Sequence, residues 1–272
     1  MQYFLILAFG LMTACSVTPP APPPVPATET EQESLEENWL IERREQTQSL
    51  EDPDLVRVVN PHGEIRVRAH HKPEIFVLYN AQRHRDDAIG PEVEINHKPD
   101  SVEVTTHFEP HKGEVPESFK KRRIDLTVFV PATTPLHLES DSGLLETRGM
   151  KGELNMTSTW GDMRTRHAGP LNMKSQYGSL QAMLQDTRWS KDSRIETLTG
   201  DILVFVAKNG SLEVEMESHD SFATDFSLTV EKNPETGLKS AKATLGENGK
   251  MLFLKTARGQ ISLLESNVKQ PE

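Results

Sequence analysis

The residue types that could do chemistry are few and scattered along this chain. Ten histidines stand at 62, 70, 71, 84, 97, 107, 111, 137, 167 and 219, and none has the compact His-x-His or His-Glu-x-x-His spacing that gathers ligands round a metal ion. His70 and His71 are adjacent, and neighbouring side chains of a strand point to opposite faces, so the two do not chelate one ion together. Neither a Gly-x-Ser-x-Gly nucleophile turn nor a Gly-x-x-x-x-Gly-Lys phosphate loop is present. Asp162 and Asp201 recur at matching places of similar segments. Two carboxylates about 5–10 Å apart on one face could cleave a glycosidic bond, but acids that cap turns account for both positions without catalysis. The balance points to no catalytic residues, no metal and no cofactor. Three features remain as candidates for binding. Trp160 and Tyr177 directly precede Gly161 and Gly178 and would stack as a sugar-binding ledge or merely pack one corner on the next. Lys120, Lys121, Arg122 and Arg123 form the one concentrated basic run, suited to an anionic surface or to shielding a strand edge. Cys15 is the only thiol, so no disulfide can close within the chain.

The elements that would position these residues are written as a repeat. Glycines at 143, 152, 161, 169 and 178 open short segments of alternating character, and Leu154-Asn-Met-Thr-Ser158 is closely copied by Leu171-Asn-Met-Lys-Ser175, seventeen residues on. Two alternating glycine types, at 143, 161 and 178 and at 152 and 169, make the repeating unit two strands long. Period-2 alternation in runs of four to six residues predicts strands, and tight corners call for glycine because they require positive φ. Copies of one unit imply stacking, with Leu154, Met156, Leu171 and Met173 inside and the intervening Asn, Lys and Thr in solvent. The theme continues after Gly200, Gly210, Gly249 and Gly259 and opens weakly at Gly63. Between these, 75–80, 93–96, 102–108, 124–130 and 136–140 read as longer strands. The expected fold is all-β, a single β-solenoid over 55–268 with a short tail at 269–272. A β-sandwich, which also uses many short strands, is the alternative.

The chain ahead of this domain has a different character. Residues 3–12 are apolar and lead to Thr13-Ala14, the form of a secretion signal over 1–14 ending at a small-residue cleavage site. The apolar stretch is too short for a membrane-spanning helix, which needs about 20 residues. With Cys15 next, the segment resembles the lipobox of bacterial lipoproteins. That resemblance implies a thioether-linked lipid on Cys15, and Ser16 after it implies sorting to the outer membrane of a Gram-negative cell. Residues 17–27 hold six of the eighteen prolines, an extended spacer. Residues 28–54 carry ten acids against Arg43 and Arg44, and this −8 out of a total of −11 leaves only −3 for residues 55–272. The domain therefore lacks the excess of basic charge expected of a nucleic-acid binder. Within the tether of 15–54, Ser34 and Glu37 have capping-box spacing, and Leu35, Trp39 and Leu40 form a thin apolar stripe. A short helix over 35–47 is one reading and a solvated linker the preferred one.

The repeated segments, with Gly161-Asp-Met and Gly200-Asp-Ile following a "Leu-x-Leu-x-Ser/Thr-x-Ser-Gly-Asp-Ile-x-Val" pattern, resemble a bacterial putative-adhesin family related to the head-GIN auto-transporter adhesins. The resemblance spans roughly 55–265 and implies an extracytoplasmic β-solenoid without a catalytic motif. The expectation is a lipid-anchored envelope protein with a binding or structural role toward envelope glycans or another envelope protein. A glycan-active β-helix enzyme and an envelope-stress regulatory component are the alternatives.

Overall fold

Burial alternates residue by residue along almost every segment, as strands with one face in a core require. In Leu154–Trp160 the side chains of Leu154, Met156 and Ser158 are buried, while Asn155 and Thr157 face outward. The computed structural model describes residues 39–50, 55–85, 90, 92–108, 122–207 and 209–266, and every regular element among them is a strand. In chain order these are β1 (Trp39–Ser49), β2 (Leu55–Val59), β3 (Ile65–His70), β4 (Glu74–His84), β5 (Glu92–Lys98), β6 (Ser101–His107) and β7 (Arg123–Pro131). Then come β8 (Leu136–Ser142), β9 (Leu145–Met150), β10 (Leu154–Trp160), β11 (Met163–His167), β12 (Leu171–Tyr177), β13 (Leu180–Leu184) and β14 (Ser193–Thr199). The last are β15 (Ile202–Ala207), β16 (Leu212–Ser218), β17 (Phe222–Thr224), β18 (Thr229–Lys232), β19 (Lys239–Leu245), β20 (Lys250–Arg258) and β21 (Ile261–Ser266). The residues given as Cys15, the signal and the proline spacer, with Lys120 and Lys121, lie outside the described residues.

The strands form two mixed sheets, one of ten strands and one of eleven. From β8 to β15 the chain alternates between them, and each strand from β8 to β13 pairs in parallel with the strand two places on. Leu154 is opposite Leu171 and Met156 opposite Met173, so the copied segments lie side by side in register. Leu145, Met163, Leu180, Ile202 and Ile261 align likewise across the ten-stranded sheet. Their side chains, with those of Leu136, Leu138 and Ile195 from the other sheet, are fully buried in one continuous core. Each such side chain contributes roughly 1.5–3 kcal/mol by leaving water.

Spatial order departs from chain order at both ends. β20 lies between β14 and β16, and β21 between β15 and β17, so residues 250–266 are intercalated within sheets whose other members precede them. Near the other end β2 and β3 lie between β6 and β8 and between β7 and β9. Antiparallel strands flank the parallel middle: β4 and β1 beyond β7, β5 beyond β6, and β19 and β18 beyond β16.

The corner glycines also differ from expectation in their physical reason. Gly63, Gly143, Gly200 and Gly259 do have positive φ, but Gly161 and Gly178 of the same column do not. What all share is proximity. A Cβ on Gly143, Gly161, Gly178, Gly200 or Gly259 would lie 2.1–2.2 Å from the carbonyl oxygen of the glycine one turn away. Beneath this column runs a row of buried hydroxyls. Ser175, Thr197, Thr256 and Ser218 donate to the carbonyls of Gly161, Gly178, Gly200 and Gly259.

Residues 39–49 correct the reading of a helix over 35–47 or a solvated linker: they are strand β1, part of the domain. All eleven residues pair antiparallel with β4, from Trp39 opposite His84 to Ser49 opposite Glu74. The apolar stripe was too thin to bury a helix, whereas the free edge of β4 offers a row of backbone partners that only an extended segment satisfies. Its inward Gln46 reaches the Val93 carbonyl of the other sheet at 3.1 Å, and Arg83 donates to Glu42. The charges of β1 suit its place as an outer strand.

Candidate binding surfaces

Trp160 and Tyr177 end β10 and β12, each two residues beyond the paired Ser158 and Ser175. Because Gly161 and Gly178 follow directly and let their backbones approach, the two rings stack with centroids 4.0 Å apart and planes 12° from parallel. Trp160 remains 61% exposed and Tyr177 38%, so the stacked pair lies at the surface instead of filling the core. Ser142 precedes Trp160 in this column, and Thr199 and then Arg258 follow Tyr177. His62 bridges to Ser142 and packs its ring edge-on against Phe108 at 5.6 Å. The result is a ledge along one corner, aromatic in the middle and polar at its ends.

The acids considered for catalysis have structural partners. Asp162 Oδ1 accepts the Ser179 backbone N–H at 2.8 Å, and Asp201 Oδ1 accepts that of Gln260 at 2.8 Å. Asp125, Asp192 and Asp225 do the same for Glu64, Met251 and Glu265. Each carboxylate ties one turn to a neighbouring one. Among the described residues, no group of three His, Cys, Asp or Glu side chains is placed to share an ion.

Of the basic run, Arg122 is buried, which removes it from any external anionic surface, and Arg123 is exposed and pairs with Asp125 at 2.9 Å. Backbone alternation explains the difference: the run enters β7, where successive side chains face opposite sides.

A different cationic surface went unnoticed in the sequence. On the outward face of the ten-stranded sheet, Arg68 of β3 is directly opposite Arg148 of β9, which is opposite Arg166 of β11. Glu146, nearly buried, pairs with Arg68 and with Arg148 Nε at 3.1 Å. Arg166 Nε donates only to the Met183 thioether at 3.3 Å, and Arg164 makes no ion pair among the described residues. Glu146, Arg148, Arg164, Arg166, Gln181 and Met183 line an open groove of about 370 Å³. The signal in the sequence is the Arg-x-Arg of residues 66–68 and 164–166, but only strand register brings Arg148 between them. The outer face of the other sheet is built differently, with Lys174, Glu196, Lys255 and Glu217 alternating in sign across one row.

Neither a protein-family model nor a curated protein sequence matches the chain. Solved structures do. A putative cell adhesion protein from Clostridium sporogenes is 11% identical with a TM-score of 0.51, covering 83% of this chain and 100% of that one. A putative adhesin from Bacteroides fragilis is 9% identical with a TM-score of 0.41, covering 83% and 97%. One from Parabacteroides distasonis is 11% identical at 0.34, with the same coverage. The chain, two mixed sheets closed over one apolar core, thus has the fold of the Clostridium sporogenes putative cell adhesion protein.

Proposed function

We propose that this chain is an envelope lipoprotein whose folded part is a non-enzymatic binding module, a β-solenoid with two strands per turn. The in-register pairing of Leu154 with Leu171 supports the solenoid over two independently ordered sandwich sheets. In this reading Cys15 carries the lipid, residues 17–27 hold the domain off the outer membrane, and the acidic segment before Trp39 leads into it. The rigid ladder displays its corner to envelope glycans.

The observation that carries the reading is the exposed Trp160–Tyr177 stack. An indole and a phenol held parallel in solvent leave apolar area unburied, and the faces of sugar rings cover such area well. Removing either ring should weaken binding without touching the core.

The test is a glycan array and subsequent titration with the Trp160→Ala and Tyr177→Ala proteins. Binding of an envelope glycan by the wild type, lost by about tenfold in both variants at unchanged melting temperature, is the expected result. Equal binding by wild type and variants would remove the ledge from the function. The anchor is tested separately: Cys15→Ser should abolish incorporation of labelled lipid and processing of residues 1–14, and continued labelling would refute it.

A further inference from the structure

The outer face of the ten-stranded sheet is divided by chemistry along its hydrogen-bonding direction. One cross-strand row reads Phe76, Phe129, Arg68, Arg148, Arg166, Met183, Phe205, Leu264, three cations with apolar side chains on either side of them. The adjacent row is mixed, reading Arg66, Glu146, Arg164, Gln181, Leu203 and Ser262. Strands are about 4.8 Å apart, so like charges stand directly opposite one another, an arrangement that is unfavourable unless compensated. Glu146 pairs with Arg68 and Arg148 and stands opposite Arg164 in the register, a single carboxylate among four arginines, and Arg166 makes no ion pair among the described residues. Met183, Phe205 and Leu264 each remain partly exposed on an outward face. The groove of about 370 Å³ lies over the arginines, lined by Arg148, Arg164 and Arg166, and reaches the seam with the apolar side chains at Met183; its volume is near the lower end of the roughly 300–1,000 Å³ typical of small-molecule sites.

We propose that this groove binds a single anionic amphiphile. Its phosphate or carboxylate head lies on Arg148, Arg164 and Arg166, and its hydrocarbon part crosses Met183 onto Phe205 and Leu264. Guanidinium groups hold such oxyanions through paired, charge-assisted N–H donors. The Met183, Phe205 and Leu264 side chains supply area and no hydrogen-bond donors, which suits methylene groups better than sugar hydroxyls. The concavity at the seam admits one molecule end-on, whereas the plane of a bilayer would rest on the rim. This surface belongs to a different sheet from the strands that carry Trp160 and Tyr177, and the proposal stands without the glycan reading.

The experiment titrates the chain from Cys15 onward, made without acyl groups, with dihexanoyl phosphatidic acid kept below its micelle concentration. Dihexanoyl phosphatidylcholine, inorganic phosphate and polygalacturonate serve as comparison probes. Saturable one-to-one binding of the phosphatidic acid is expected, with phosphate and phosphatidylcholine at least tenfold weaker. Arg166→Glu and Phe205→Ser should each weaken it at least tenfold, while Trp160→Ala leaves it unchanged. Arg166 is exposed, so its substitution reports on the site even if Phe205→Ser proves unstable. Absence of saturable binding would overturn the proposal, as would indifference to Arg166→Glu or loss with Trp160→Ala. Polygalacturonate binding of equal strength that depends on Arg166 and not on Phe205 would assign the surface to acidic polysaccharide instead.

Discussion

His167 closes β11 with its ring fully buried, opposite Met150 on one neighbouring strand and Leu184 on the other. Its Nε2 lies 3.3 Å from the Pro170 carbonyl, and burial lowers its pKa from 6.5 to about 4. In the unfolded chain the same imidazole titrates near 6.5. The unfolded state therefore binds more protons than the folded state between these values, and stability falls as pH drops from about 6.5 to about 4. Above 6.5 both states are neutral and the group contributes no pH dependence. At about 1.4 kcal/mol per pH unit of displacement the loss amounts to about 3 kcal/mol, most of it expressed by pH 4.5. For a domain of this size that corresponds to a fall of roughly 6–12 °C in melting temperature. Carboxylates titrate in the same window, so the informative quantity is a difference. Urea unfolding of wild type and His167→Gln at pH 7.0 and 4.5 should show the variant less stable at pH 7.0, yet losing about 2–3 kcal/mol less on acidification. Identical losses in the two proteins would refute the reasoning. So would a His167 NMR titration with a midpoint near 6.5.

Three further substitutions probe the frame. Gly178→Ala would place a methyl 2.2 Å from the Gly161 carbonyl oxygen and should cost about 2–3 kcal/mol in urea unfolding by forcing two turns apart. Gly90→Ala, which meets only the flexible Arg83 side chain at 3.2 Å, should stay within about 0.5 kcal/mol of wild type. Met156→Asp sets an unpaired carboxylate at a position 1% exposed and should cost several kcal/mol, abolishing a single cooperative melt. An unchanged melt would mean that the inward register of β10 is wrong by one residue.

The middle of the fold was readable because its information is local. The Leu-Asn-Met copies at 154 and 171 and the glycines every eight or nine residues announce strand, corner and inward face within a window of about twenty residues. The strands beginning near 75, 93, 102, 124 and 136 were found for the same reason, with ends misjudged by a few positions at most. What escaped is non-local. Nothing inside Trp39–Ser49 marks it as a strand, because the partner that makes it one is the edge of β4, twenty-five residues away at the near end, where Ser49 is opposite Glu74. The placement of β20 and β21 depends on which edges stand open once β14 to β17 are in place. Glycine columns were visible, but their cause at Gly161 and Gly178 is a neighbouring carbonyl, which appears only when turns are stacked. The same holds for the candidate surfaces. Trp160 and Tyr177 could be matched from their shared spacing to glycine. Arg148 joins Arg68 and Arg166 only through strand register, and the burial of Arg122 follows from where β7 begins.

The intercalation of residues 250–266 has a bearing on how the molecule is made. A polypeptide delivered from its N-terminus can build β8 to β15 as it emerges, yet two interior slots stay vacant until the closing stretch arrives. Completion is thus a final wedging-in, and the barrier to unthreading that wedge falls to hydrogen bonds on both of its sides.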